Sequence, residues 1–333
     1  MQAFVTGSTG LLGSNLVREL VEQGYSVKAL VRSLDKAKFL MGNLPRVQFI
    51  QGDLQNIADF SHQLQGCDVL FHTAAYFRES YGSGNHWPML QRLNIDATLE
   101  LLEAAETAKV FKTIYVSSSG CIGLNPDGSP GTETTPPGPI AYDNLYFKSK
   151  LMAEAAVIDF TQTHAMPVVM ICPGAMLGPQ DAAPTELGQF VLNFLHRKIP
   201  ARPAGGMPCV DVRDVATAMV NAVTQGRSGQ RYLIGGKYYS MADLMGHLET
   251  VSGVPAPKLK LPGFAMGILA VVSTWIGQLR GQKSEIPIEG VKIMLATLAY
   301  DSTKAQQELG IQFRPLDESL HDMVTWYRQA NYL

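Results

Sequence analysis

The chain has 333 residues, of which 46% are hydrophobic and 17% are charged, and its formal net charge is −2. This composition excludes an intrinsically disordered chain and supplies enough apolar material for one large domain or two ordinary ones. Cationic and anionic residues are mixed along the sequence, and no basic run exceeds two residues. We therefore expect no nucleic-acid partner.

The four cysteines, Cys67, Cys121, Cys172 and Cys209, lie far apart. No two of them have the C-x-x-C spacing of a zinc site or a redox dithiol, so we expect neither a metal site nor a disulfide framework. Isolated cysteines of this kind fit a reducing compartment. The first residues lack the basic and long apolar regions of a signal peptide, and we expect a cytoplasmic protein.

Short apolar or β-branched runs alternate with amphipathic stretches through the first half of the chain. The pattern predicts strands at 2–6, 27–31, 47–51, 68–72, 113–117 and 167–171, and helices at 11–23, 94–108 and 143–163. Alternating strands and helices indicate an α/β protein with a Rossmann-type, doubly wound parallel sheet.

Residues 120–140 interrupt this alternation with five prolines and five glycines, which exclude a regular element. Such a loop is either an active-site flap or a tolerated surface insertion. After residue 172 the elements become more irregular and prolines recur. We therefore predict a first domain of residues 1–172 plus about 209–235, and a smaller C-terminal lobe of residues 173–208 and 236–333.

The segment 264–276 (FAMGILAVVSTWI) is almost wholly apolar. It is shorter than the roughly 20 residues that a membrane-spanning helix needs. Three interpretations stay open for it. It forms a pocket for an apolar ligand, it fills the core of the second lobe, or it makes an interfacial membrane contact.

A glycine-rich segment, TGSTGLLG at 6–13, lies between the first predicted strand and the first predicted helix. That context is the one that a dinucleotide-binding turn requires. Gly7 permits the tight turn, Gly10 lets backbone N–H groups approach a pyrophosphate, and Gly13 lets the helix pack closely on the strand. The N-terminus of the helix then offers unpaired N–H groups to the anion.

Arg32 directly follows the second predicted strand, at the position where an acidic residue would select NAD by binding the adenosine ribose. A guanidinium suits a 2′-phosphate instead, and Lys36 lies close in sequence. We therefore predict NADP as the cofactor, with NAD as the alternative.

A Y-x-x-x-K motif begins at Tyr146 and ends at Lys150, inside a predicted helix. Residues four apart share a helix face, so the ammonium of Lys150 would stabilise the phenolate of Tyr146 and lower its pKa. This makes Tyr146 a candidate general acid/base for a carbonyl or a hydroxyl. Three serines at 117–119 follow the fifth predicted strand, where a hydroxyl would point into the ligand crevice of such a sheet.

These features occur in the same order in the extended short-chain dehydrogenase/reductase superfamily, together with Asp53-Leu54 after the third strand and HTAA at 72–75 after the fourth. The sequence resembles that superfamily, and most closely its dihydroflavonol-reductase and 3β-hydroxysteroid-dehydrogenase branch. The segment 210–216 (VDVRDVA) matches a further family motif and extends the resemblance over most of the chain.

The resemblance implies roles that the motifs alone do not assign. Counting back from Gly123 points to Ser118 as the catalytic serine, with Ser119 as the second choice. The first domain would bind NAD(P), and the C-terminal lobe would bind the substrate. The other implied cofactor contacts are Thr9, Leu11, Leu12, Asp53, Leu54, Thr73, Ala74, Ala75, Ser117, Pro173 and Gly174, and the implied substrate contacts are Ser119 and Met176.

Departures from the family pattern narrow the chemistry that the resemblance implies. Nucleotide-sugar dehydratases carry an Asp-Glu pair where this chain has Ser119 and Gly120. Epimerases often carry an asparagine where it has Ala175. Both departures favour the reductase branch, although the usual family arginine before Pro173 is Cys172 here.

We therefore predict an NADP-dependent oxidoreductase that reduces a carbonyl of a hydrophobic small molecule, or oxidises the corresponding alcohol. Tyr146 would donate the proton, Ser118 would hydrogen-bond the substrate oxygen, and Lys150 would hold the nicotinamide ribose. A sugar or nucleotide-sugar epimerase that uses the same residues is the alternative, and a non-catalytic NADP-binding sensor is the second. Monomer and homodimer both stay open.

Overall fold

The computed structural model of the chain describes residues 1–77, 84–280 and 288–333, and within 274–280 it describes the backbone alone. The predicted apolar segment 264–276 therefore lies partly outside the described residues, since the side chains of Trp275 and Ile276 are among those not described.

The first half of the chain follows the predicted alternation of strands and helices. It contains β1 (Gln2–Thr6), α1 (Leu11–Glu22), β2 (Ser26–Val31), α2 (Leu34–Met41), β3 (Val47–Gln51), β4 (Val69–His72), α3 (Trp87–Leu90), α4 (Ala97–Thr107), β5 (Lys112–Val116), α5 (Pro139–Asp143), α6 (Leu145–Thr163) and β6 (Val168–Pro173). A π-helix (Gln91–Asp96) joins α3 to α4, and 3₁₀ turns cover Ile57–Asp59, Ser61–Leu64 and Ser119–Cys121.

The second half contains more regular helices than we predicted from the recurring prolines after residue 172. It contains β7 (Ala175–Leu177), α7 (Glu186–Leu195), β8 (Arg202–Pro203), β9 (Gly206–Asp211), α8 (Val212–Gln225), β10 (Arg231–Ile234), β11 (Lys237–Ser240), α9 (Met241–Ser252), β12 (Lys260–Leu261), α10 (Gly263–Arg280), α11 (Ile288–Leu295), α12 (Thr303–Leu309) and α13 (Leu316–Gln329). Several of these prolines lie between elements, where they end one segment without breaking the next.

Within the described residues, seven strands form a parallel sheet in the order β3-β2-β1-β4-β5-β6-β10. Every residue of β4 and β6 is buried, as expected for parallel strands that helices cover on both faces. The strand order reverses between β1 and β4. In such sheets the reversal opens a crevice at the carboxyl ends of the strands, where ligands bind. The predicted Rossmann-type fold is confirmed.

Alternate side chains of the strands point to two separate cores. In β1, Ala3 and Val5 pack into the core that contains α1 and α8, whereas Phe4 packs into the core that contains α4 and α6. This alternation follows from the two-residue repeat of a strand. The two helical layers hold the sheet rigid, so the carboxyl ends of its strands keep fixed relative positions.

The later elements extend this sheet and add two small ones. β10 pairs with β6, while β7, β9 and β11 form a separate sheet, and β8 pairs with β12. The main core cluster includes side chains of both α1 and α8. We keep the division into a nucleotide-binding domain and a substrate-binding lobe as a prediction.

Two predicted helices have other bounds in the structure than in the prediction. The helix predicted at 94–108 begins earlier, because Trp87 and Pro88 open it and Pro88 occupies a first-turn position that needs no N–H donor. The helix predicted at 143–163 begins at Leu145, because Asn144 leaves the helical conformation and its side chain accepts a hydrogen bond from the Phe147 amide. The loop predicted at 120–140 overlaps the 3₁₀ turn at its start and α5 at its end.

In the part of the chain that the structure describes, no helix combines the length and the apolarity needed to cross a membrane. In α10, Met266 and Ala270 are buried, whereas Phe264, Ile268 and Val271 are exposed. The helix therefore contributes to a core and also leaves a large apolar surface outside it.

Candidate active site

The glycine turn between β1 and α1 is built by close backbone contacts. Gly7 has a φ of +68°, a conformation that favours glycine, and a Cβ there would lie 2.7 Å from the backbone nitrogen of Ala74. The amide of Gly10 donates to the carbonyl of Gly7 over 2.9 Å. A Cβ on Gly13 would collide with that same carbonyl. Only glycine therefore lets α1 approach β1 this closely.

The N-terminus of α1 suits a pyrophosphate. Gly10 is the N-cap residue, and among the described residues no side chain caps the helix there. Backbone N–H groups at such an end carry partial positive charge and bind phosphate readily. Thr9 beside them is half-buried, and Leu11 and Leu12 are buried in the core next to α1. The turn therefore fits the nucleotide that the sequence predicts, with backbone groups as the main donors.

The predicted adenosine contacts lie at the carboxyl ends of β2 and β3. Arg32 is exposed directly after β2, and Lys36 lies in the first turn of α2, which Ser33 caps. Asp53 is half-buried after β3, and its carboxylate accepts a hydrogen bond from the Gln55 amide over 2.9 Å. Leu54 is 9% exposed and belongs to the core that contains α4 and α6.

The end of β4 is tied to the glycine turn by hydrogen bonds. The hydroxyl of Thr73 donates to the carbonyl of Thr6 over 2.7 Å, and the ring of His72 lies between the hydroxyls of Thr6 and Thr98. Burial, with the charge of Lys150 as a smaller cause, lowers the pKa of His72 to about 3. His72 is therefore neutral and positions this edge of the sheet, where Ala74 is half-buried and Ala75 is exposed.

Lys150 brings the Y-x-x-x-K helix to the end of β5. Its ammonium donates to the carbonyl of Val116 over 2.8 Å and to the hydroxyl of Tyr115 over 3.3 Å, and it lies 4.8 Å from the centre of the Tyr115 ring. Burial lowers the pKa of Lys150 to about 8, and the neighbouring Cys121 and Glu154 partly oppose this. An ammonium at the last residue of β5 is directly beside the predicted catalytic serines.

The three serines have different environments. Ser117 is 2% exposed and Ser119 is 6% exposed. Ser118 is half-buried, and its Oγ accepts a hydrogen bond from the Gly120 amide over 3.2 Å. A hydroxyl that accepts in this way keeps its own proton to donate to a ligand. Of the three, Ser118 therefore has the side chain best suited to contact a substrate.

Tyr146 is half-buried in the first turn of α6, and its ring centre lies 4.6 Å from that of Phe77. The neighbouring Phe147 fixes the distance between α6 and the serine turn, since its ring fills the space that a side chain on Gly120 would need. The thiol of Cys121 also contacts the carbonyl of Phe147, over 3.7 Å. The start of α6 therefore packs on the turn that follows Ser118.

Asn94 is a positioning residue that the sequence did not reveal. It is 1% exposed in the π-helix, and its amide oxygen accepts from the Tyr76 amide over 2.7 Å. Its amide nitrogen donates to the Tyr76 carbonyl over 3.1 Å and to the hydroxyl of Ser149 over 3.0 Å. Ser149 in turn donates to the Tyr146 carbonyl. An asparagine inside a helix was the available signal, because asparagine disfavours such positions unless its side chain is used. The predicted helix began at this residue and so hid the signal.

The remaining predicted residues follow β6. Pro173 is the last residue of β6 and pairs with Ile234, and a Cβ on Gly174 would lie 3.0 Å from the Pro208 carbonyl. Met176 is half-buried on β7. In place of the family arginine, Cys172 contacts the buried carboxylate of Glu154 over 3.4 Å.

An arginine does reach this carboxylate, but from the neighbouring strand. A guanidinium nitrogen of Arg231, at the start of β10, lies 3.2 Å from Glu154, and the same side chain donates to the Glu133 carbonyl. Glu154 is four residues after Lys150, so it lies on the same side of α6 as Lys150. The pair neutralises a carboxylate that is 2% exposed.

The comparison with protein families decides the assignment. The model of the NAD dependent epimerase/dehydratase family matches residues 3–235. The chain belongs to this family. The match covers the glycine turn, the serine turn and the Y-x-x-x-K helix, and it confirms the resemblance to the extended short-chain dehydrogenases/reductases.

Relatives within the family are similar along the whole chain. A putative dihydroflavonol 4-reductase of Synechocystis sp. is 35% identical over 340 residues, which cover 99% of this chain and 95% of that protein. Sterol demethylase protein B of Methylococcus capsulatus is 28% identical over 336 residues, which cover 100% of both. The crystal structure of gox2253 has a TM-score of 0.83 and 31% identity, and covers 99% of each chain. From its family and its relatives, we conclude that our chain is an NAD(P)-dependent enzyme of oxidoreductase type that acts on a small molecule.

Proposed function

We propose that the protein is an NADP-dependent reductase that converts a carbonyl of a hydrophobic small molecule into an alcohol, or catalyses the reverse oxidation. The observation that carries this proposal is the position of Lys150. Its buried ammonium lies at the end of β5, beside the serine turn, and on the helix that also carries Tyr146. An ammonium held in this way stabilises a phenolate and favours proton transfer by the tyrosine.

The residues of the site divide the work of a carbonyl reduction. When bound, the nicotinamide nucleotide supplies the hydride that reaches the carbonyl carbon. Tyr146 gives its phenolic proton to the carbonyl oxygen, and Ser118 donates a hydrogen bond to the same oxygen. Lys150 would stabilise the phenolate that remains and would hold the nicotinamide ribose. Asn94 links the first turn of α6 to the segment after β4 by hydrogen bonds. These bonds keep the distance between Tyr146 and the cofactor pocket fixed.

NADP is favoured over NAD by the end of β2. Arg32 is exposed there, Lys36 follows in the first turn of α2, and no carboxylate lies between Val31 and Leu34. A guanidinium and an ammonium are suitable partners for a 2′-phosphate, whereas a ribose hydroxyl would be bound better by an acidic side chain.

Two observations favour reduction of an apolar substrate over sugar-nucleotide chemistry. First, the ring of Phe147 fills the space beside Gly120, so the glutamate that sugar-nucleotide dehydratases carry there has no room. Second, two relatives that are similar along the whole chain are named for dihydroflavonol and sterol chemistry. A substrate of that kind is bulky and mostly apolar.

The experiment is a panel of hydrophobic ketones and aldehydes, each incubated with the purified protein and either NADPH or NADH. Cofactor oxidation is followed by the nicotinamide absorbance. We expect turnover of at least one apolar carbonyl, and a higher kcat/KM with NADPH than with NADH.

A second arm of the panel uses nucleotide sugars with catalytic amounts of NAD(P)⁺. An epimerase would convert these without a net absorbance change. Epimerised sugar without net cofactor oxidation would contradict the reductase assignment. Bound NADPH without turnover of any substrate would favour a sensor.

A further inference from the structure

Helix α10 carries apolar side chains on two opposite sides. On one side Met266 and Ala270 are 4% and 1% exposed, and they form a small cluster with Val291 of α11. This side accounts for the attachment of the helix to the protein. A helix attached in this way normally presents charged or polar side chains to water on its other side.

Up to Ser273, the last residue of α10 whose side chain the structure describes, the outward side is apolar instead. Phe264, Ile268, Val271 and Val272 are exposed at fractions of 76%, 61%, 59% and 45%. Their spacing of four, three and one residues places them along one stripe of the helix. Leu259, which is 66% exposed, lies just before the helix. An apolar surface of this size and continuity marks a contact with another body.

Two cations lie directly before this helix. In the sequence no acidic residue occurs between Glu249 and the start of α10 at Gly263, whereas Lys258 and Lys260 occur there. Lys258 and Lys260 are exposed on either side of Leu259. On α11, the carboxylate of Glu289 is paired with Lys292 over 3.1 Å, so it does not offset these cations.

We propose that the outward side of α10 docks on an anionic phospholipid bilayer. The apolar stripe enters the boundary between headgroups and acyl chains, and the two lysines before the helix contact the headgroup phosphates. Affinity of this kind grows with the apolar area that is buried and with the attraction between basic side chains and anionic lipids. The length of α10 is not an obstacle, because an interfacial helix lies in the plane of the surface and does not cross it.

A second copy of the chain would fit the outward side of α10 less well than a bilayer. In a two-fold dimer the same patch meets itself. Lys258 and Lys260 would then lie near the same two lysines of the second copy, and like charges would repel. An anionic surface provides apolar depth and the complementary charge together.

Docking would have a consequence for the reaction proposed above. Apolar molecules dissolve in membranes, and α10 belongs to the part of the chain predicted to bind the substrate. The enzyme would therefore take its substrate from the bilayer. The docking itself does not depend on the identity of the reaction.

The test is co-sedimentation of the full chain with vesicles of phosphatidylcholine alone or mixed with phosphatidylglycerol. We expect binding to the mixed vesicles, with a partition coefficient about tenfold higher than for phosphatidylcholine, that falls with added salt. The variant F264S/I268S should lower that coefficient at least about tenfold, since each side chain loses its apolar contact with lipid. The matched control F39S/F111S replaces two other exposed phenylalanines, which are 62% and 46% exposed, and should bind as the wild type does.

A charge variant provides a second, independent arm. K258Q/K260Q should reduce binding to the mixed vesicles and leave binding to phosphatidylcholine unchanged, whereas K109Q/K198Q should change neither. Absence of binding to mixed vesicles, or equal binding by wild type and F264S/I268S, would overturn the proposal. So would sedimentation velocity showing that F264S/I268S only dissociates a dimer. Vesicle binding needs no turnover, so its failure is distinct from failure of the proposed reaction.

Discussion

Replacing Lys150 by methionine should abolish turnover. It should change the free energy of unfolding only a little, although Lys150 is buried. Lys150 is 2% exposed, and burial lowers its pKa from 10.5 to about 8. At about 1.4 kcal/mol per pH unit, holding this ammonium charged inside the fold costs about 3 kcal/mol at neutral pH. Methionine has a similar length and carries no charge, so the substitution removes that cost.

The substitution also removes two hydrogen bonds, to the Val116 carbonyl and the Tyr115 hydroxyl. Leaving these partners without a donor costs about 1–3 kcal/mol each. The gain and the loss are of the same size, so we expect the free energy of unfolding of Lys150→Met at pH 7 to lie within about 2 kcal/mol of the wild-type value.

The pH dependence separates this account from a simple packing change. Because the folded pKa of Lys150 lies below the unfolded one, the unfolded chain binds more protons between about pH 8 and pH 10.5, and stability rises with pH in that window. The wild type minus Lys150→Met difference in unfolding free energy, measured by urea denaturation of the cofactor-free protein, should therefore increase from pH 8 to pH 10. A flat or falling difference would refute the reasoning.

Three further predictions concern packing, charge and the cofactor. Gly120→Ala should destabilise the fold by about 1–3 kcal/mol in urea unfolding, because the new methyl collides with the Phe147 ring, and adding Phe147→Leu should recover part of the loss. Arg231→Leu should cost about 3–5 kcal/mol because it leaves the Glu154 carboxylate buried without its cation, and the double variant with Glu154→Gln should be closer to the wild type. Arg32→Gln should raise the KM for NADPH about tenfold or more and leave that for NADH unchanged, whereas an equal change for both cofactors would remove the case for a 2′-phosphate contact.

Local features of the fold could be predicted because they depend on residues close in sequence. The strands from β1 to β6 follow short apolar runs, and the turn after β1 requires glycine at position 7, whose positive φ the structure shows. Helix α2 was not predicted, because it is only eight residues long and its Phe39 is exposed. A short helix with such a weak apolar face leaves no clear periodicity.

Features of the site that depend on distant residues could not be predicted. Asn94 acts on Ser149 across 55 positions, and Arg231 reaches Glu154 across 77. The sequence shows that Cys172 replaces the family arginine. It does not show that an arginine from the adjacent strand pairs with Glu154, whose carboxylate Cys172 contacts. The local pattern of apolar residues does not show which strand will pair with β6, because that strand is distant in the sequence.

The most direct test of the proposed chemistry is the Tyr146→Phe variant. It should bind NADPH with nearly the wild-type Kd, measured by nicotinamide fluorescence, because only the phenolic hydroxyl is removed. With an apolar carbonyl that the wild type reduces, it should show no measurable NADPH oxidation. Turnover at the wild-type rate in this variant would contradict the assignment of Tyr146 as the proton donor, and with it the central claim that the site is a carbonyl reductase.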